Sequence, residues 1–150
     1  MTRKRSQRME ALTGLRVSEE AARRTSLAQA QAAQALRERE LGEARGALQA
    51  AERRLTAVLG RPSLDLVTLQ RARADLEALH QLERRVRIGL REVTRLVNER
   101  ARELEAARVA RRAAEELTGR ASSEERLIES RAEARSSDEA ALLRWERGSA

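Results

Sequence analysis

The chain has 150 residues, of which 37% are charged and 1% aromatic, with a net charge of +7 and no cysteine. That leaves too few bulky apolar side chains for a globular core of ordinary size, and it removes disulfides, thiolate metal sites and cysteine nucleophiles together. An apolar run of about 18 residues and the short apolar core of a secretory leader are both missing, so the sequence predicts a cytoplasmic protein with no membrane insertion.

Residues 1–8 carry Arg3, Lys4, Arg5 and Arg8 without an acid. Four positive charges at a helix N-terminus oppose the macrodipole. The expectation is therefore a basic flexible tail over 1–8, with helix one starting near residue 9 and running to 59. From Leu27 an apolar seam recurs at spacings of three and four: Leu27, Ala30, Gln34, Arg37, Leu41, Ala44, Leu48, Ala51, Leu55 and Val58. Upstream, Leu12, Leu15 and Ala22 keep helical spacing, but the register of Leu27 lands on Glu20 and Arg23. A register shift near Ala22 is expected there. Gly42 and Gly46 each weaken a helix by about 1 kcal/mol relative to Ala, yet the seam stays in phase across them.

Gly60-Arg61-Pro62-Ser63 holds the only proline and reads as a turn over 60–63, with Ser63 capping the next helix. Helix two is then expected over 64–147. Its seam places Leu69, Leu76, Glu83, Leu90, Val97, Leu104 and Arg111 in one series, and Ala72, Leu79, Val86, Val93, Arg100, Ala107 and Ala114 in the other. Two seams joined by so short a link must pair antiparallel. The fold class is all-α, a long antiparallel two-helix coiled-coil hairpin over 9–147. A turn centred near Pro62 places Glu83 across from Arg37. Beyond Leu117 the pattern fades at Thr118-Gly119, and Ser122 with Glu125 reads as a fresh capping box, so a kink is expected at 118–123. The segment that follows carries Leu142, Leu143 and Trp145 as an overhang, and residues 148–150 form a disordered end.

No phosphate-binding glycine motif and no zinc-binding His pair occurs, and His80 is the single histidine. The acid pairs Glu19-Glu20, Glu115-Glu116 and Glu124-Glu125 read as solvated faces, because a two-helix hairpin offers no pocket to raise a carboxyl pKa. No cofactor and no enzymatic activity is expected.

The whole resembles the FliJ/YscO family of type III export stalk proteins, of flagella and injectisomes. The likeness rests on length, on the hairpin, on an opening that reads Leu12-Thr13-Gly14-Leu15-Arg16-Val17-Ser18-Glu19-Glu20, and on a close that reads Asp138-Glu139-Ala140-Ala141-Leu142-Leu143-Arg144. The resemblance implies a non-enzymatic central stalk at a membrane export complex, peripheral to the membrane. Its implied partners are a hexameric export ATPase, the cytoplasmic domain of the export gate, and export chaperones. On that reading the ATPase contact is Arg3, Lys4, Arg5 and Arg8 with Leu142, Leu143, Arg144 and Trp145. The gate contact is Leu69, Arg73, Leu76 and His80. The competing classes are a basic coiled coil that binds nucleic acid or membrane, and a plain structural coiled coil. Interspersed acids and the lack of stacking aromatics disfavour nucleic acid.

Overall fold

The computed structural model describes residues 4–149, which form two long helices and no strand. Helix α1 spans Arg5–Leu59 and α2 spans Leu66–Gly148. They pack antiparallel as a coiled-coil hairpin, and the chain divides into two compact units.

The unit of Arg23–Leu104 contains the turn. Its seam is the one read from the sequence. Ala30, Leu41, Ala44, Ala51, Val58, Leu69 and Leu104 are buried, and Leu76, Leu79, Val86, Leu90, Val93 and Val97 are half-buried between the helices. Burying a leucine contributes about 1.5–3 kcal/mol, and the many alanine knobs let the backbones come close. The glycines at 42 and 46 stay within α1, as expected, with the seam in phase on both sides.

Three local expectations change here. Helix α2 begins at Leu66 rather than 64, and its cap is Asp65 rather than Ser63. The Asp65 carboxylate accepts the Val67 N–H at 3.1 Å and the Thr68 hydroxyl at 2.7 Å. A charged cap also places a negative charge at the positive end of the helix dipole, which a serine cannot do. The register moves with it. Gln34 donates to Thr94 at 3.3 Å, and Glu83 is paired not with Arg37 but with Arg45 at 3.4 Å and Arg87 at 2.6 Å. Arg37 is exposed, pairs with Glu40 at 2.8 Å, and passes Gly89, where an added Cβ would sit 3.8 Å from its Nε.

The unit formed by the residues up to Ala22 and from Glu105 onward has a different seam. The expected register shift is absent. Glu20, Thr13 and Ser6 continue the series of Leu27 in steps of seven; Glu20 and Ser6 are buried and Thr13 is half-buried, while Leu15 is 55% exposed. Opposite them Arg111, Thr118 and Glu125 continue the series of Leu69. The expected kink is also absent, since α2 runs through 118–123 unbroken with Ala114 and Ala121 buried. Polar seam positions are tolerated because each finds its partner across the seam. One hydroxyl of Thr13 and Thr118 donates to the other at 2.8 Å, and Arg111 donates to Glu20, which Arg108 approaches at 3.7 Å.

Candidate functional site

The first candidate surface is the end of the hairpin that carries both termini. Helix α1 starts at Arg5, earlier than the sequence suggests, because α2 supplies the charges that its N-terminus lacks. The Glu125 carboxylate accepts the backbone N–H of Ser6 at 2.9 Å and also the Ser6 hydroxyl. An orphan amide is satisfied and an anion sits at the positive end of the dipole. The Ser6 hydroxyl, the Ser6 amide and the nearby Lys4 charge hold the Glu125 carboxyl below its ordinary range. Glu125 is therefore not the last residue of a local capping box.

Lys4 pairs with Glu129, whose hydrogen bond and charge raise the Lys4 pKa, and Arg5 pairs with Glu124 at 3.1 Å. Lys4 and Arg5 are thus held within the hairpin and are not a free basic tail. Arg8 lies in α1 with its amide on the Lys4 carbonyl at 3.3 Å, and Arg3 lies outside the described residues.

Since Lys4 meets Glu129, α2 outruns α1 from about residue 130 to Gly148. Leu142, Leu143 and Trp145 are 61%, 53% and 71% exposed, and they do not fold back on Leu12 or Leu15. Arg144 lies exposed between them. The end expected to be disordered is helical through Gly148, and the Ser149 hydroxyl donates to the Trp145 carbonyl at 2.9 Å. Ala150 lies outside the described residues.

The second surface is near the turn. Leu69 is buried and Leu76 half-buried in the seam, so neither is presented to a partner; His80 borders the seam half-buried, and Arg73 is exposed. Four residues that the sequence reading did not single out stand out here. Leu59, Leu64, Leu66 and Val67 surround the turn and are 54%, 52%, 63% and 55% exposed. The available signal was four large apolar residues within nine positions, where a turn usually carries small and polar ones.

Apart from Glu125, which Ser6 occupies, the acids of these pairs face arginines. Glu19 takes Arg16 at 2.9 Å, Glu115 takes Arg111 at 2.8 Å, and Glu116 lies 3.9 Å from Arg120. Among the described residues no three of His, Cys, Asp and Glu converge as metal ligands, and no helix is long and apolar enough to cross a membrane. No family model, curated protein or solved structure matches the chain.

Proposed function

We propose that the chain is a non-enzymatic central stalk of a type III protein export apparatus, cytoplasmic and peripheral to the membrane complex. It joins a hexameric export ATPase to the export gate and escorts export chaperones. The observation that carries this reading is the unpaired end of α2, where Leu142, Leu143 and Trp145 stand in solvent beside Arg144. Large apolar side chains next to arginine are the usual composition of interface hot spots, and a helix that outruns its partner is suited to enter a ring. With Lys4 and Arg5 engaged by Glu129 and Glu124, the anchors reduce to the α2 end, and the basic residues at the start of α1 brace it. The gate contact in this proposal falls to Arg73 and His80, since the seam occupies Leu69 and Leu76.

Trp145 is the only aromatic residue and reports directly on docking. Its emission shifts to the blue when the cognate hexameric ATPase is added, and the shift disappears in Leu142→Asp with Leu143→Asp. Unchanged wild-type emission overturns the proposal.

A second reading, a polyanion binder such as a nucleic-acid protein, is favoured by one observation. Arg84, Arg91, Arg95 and Arg102 recur along the exposed face of α2 and make no ion pair among the described residues. Counterion release would make such binding fall steeply with salt. Binding of duplex DNA tighter than about micromolar at physiological salt puts this reading first.

A further inference from the structure

Beside the exposed apolar residues of the turn, the unit of Arg23–Leu104 has a groove of about 300 Å³ between the last turns of α1 and the first turns of α2. Ala51, Ala57, Val58 and Ala72 give it apolar walls, and Arg54, Arg61, Arg71, Thr68 and Asp75 also line it. The guanidinium groups of these three arginines make no ion pair among the described residues. Of the nearby acids Asp65 caps α2, and Asp75 is the one carboxylate of the lining, so three guanidinium groups face a single acid.

Leu59, Leu64, Leu66 and Val67 serve neither the seam nor the caps. The seam ends at Val58 and resumes at Leu69, both of them buried, while these four stay more than half exposed. Single exposed leucines are ordinary, but four large apolar side chains collected on one turn, next to an apolar groove, mark an interaction surface.

We propose that the turn end of the hairpin is a protein-docking tip whose partner is an acidic segment carrying a bulky aliphatic or aromatic side chain. That side chain enters the groove against Val58 and Ala72, and the carboxylates of the segment face Arg54, Arg61 and Arg71. A lipid surface would cover Leu59, Leu64, Leu66 and Val67 and leave the groove unfilled, whereas a protein segment with a bulky side chain fills the groove as well. A second copy of the same tip would bring the unpaired arginines against their own counterparts, which like-charge repulsion opposes. The tip lies beside the gate contact of the export reading, Arg73 and His80, but draws on other residues and needs no ATPase.

The test is selection of a phage-displayed random dodecapeptide library on the immobilised full chain. Enriched peptides carry net negative charge and at least one Leu, Ile, Phe or Trp. They bind Leu64→Ser with Val67→Ser at least tenfold more weakly than wild type, and bind Arg54→Glu with Arg71→Glu at least tenfold more weakly as well. The changed side chains are exposed, so circular dichroism stays at the wild-type level in both variants. Enrichment of neutral or basic peptides, binding to either variant as tight as to wild type, or no enrichment overturns the proposal. In parallel, sedimentation with vesicles of phosphatidylcholine and phosphatidylglycerol at three to one leaves the protein in the supernatant. Vesicle binding that is lost in Leu64→Ser with Val67→Ser assigns the tip to membranes and overturns the proposal too.

Discussion

The two units of the hairpin solve one packing problem with different chemistry. Near the turn the seam is mostly apolar, with Leu41, Leu69, Leu104 and three alanines among its buried residues and Glu83 as its one buried charge. At the end bearing the termini, the buried residues are Ala114 and Ala121 with Ser6 and Glu20, and the seam is held by pairs such as Thr13 with Thr118 and Glu20 with Arg111. Apolar knobs stabilise strongly but accept a slip of one heptad at modest cost. Polar pairs stabilise less and fix alignment, because a slipped helix leaves buried polar groups unmatched. The turn unit therefore supplies most of the stability. The terminal unit, where polar pairs replace most of the apolar knobs, contributes more to the register, to which Glu83 with Arg45 and Gln34 with Thr94 add in the turn unit.

The largest expected effect tests the first half of that contrast. Leu41→Ala removes a buried leucine from the turn unit and lowers unfolding free energy by about 2–3 kcal/mol in urea titrations followed by circular dichroism. A loss below about 0.5 kcal/mol would mean that the seam there is not the source of stability.

Next comes the polar seam. Glu20→Leu replaces a buried carboxylate by an apolar knob, while Arg111 keeps Glu115 and Arg108 keeps Glu105 as partners. Stability rises by about 1–2 kcal/mol, as when buried ion pairs give way to packed apolar residues. Register specificity falls with it. Since the chain has no cysteine, Thr13→Cys with Thr118→Cys forms an intramolecular disulfide under mild oxidation, and its yield drops when Glu20→Leu is added.

Glycines give a smaller effect of the same sign. A Cβ added at Gly42 or Gly46 meets nothing within 4 Å, so each change to Ala stabilises by about 1 kcal/mol through helix propensity alone. A destabilisation of either variant would show that these positions have a neighbour.

Acid has the smallest effect, and it falls on the terminal unit. Glu125 has a lowered folded-state pKa, so its contribution is fully present above the ordinary value of 4.5 and is lost as the pH falls through the lowered one. Amide exchange at Ser6 and the residues just after it accelerates over that range. In Glu125→Gln the added acid-dependent acceleration is absent.

Most of the fold was legible because heptad spacing is a local signal. Every seam position from Leu69 to Ala114 is buried or half-buried, and in the first helix from Leu27 to Val58 only Arg37 is exposed. What escaped the sequence depended on partners far along the chain. Arg5 is an unfavourable helix start until Glu124 and Glu125, over 100 residues away, come beside it. Glu20 looked like a break in the seam because its arginines lie on α2. Asp65 and Ser63 are both good caps, and the flanking leucines did not distinguish them. Of the candidate surfaces, the exposure of Leu142, Leu143 and Trp145 was anticipated as one of two outcomes. The apolar character of the turn is masked in the sequence by Gly60 and Pro62, whose helix-breaking signals dominate the segment.

The most direct test of the account is hydrogen–deuterium exchange along α2, in the free protein and with the hexameric export ATPase added. The account predicts slow exchange over 69–125 in both states, where α2 is paired. It predicts fast exchange over 130–148 in the free chain, and strong protection of that stretch in the complex. If 130–148 exchanges equally fast with and without the ATPase, the projecting end of α2 is not the docking element and the stalk reading is contradicted.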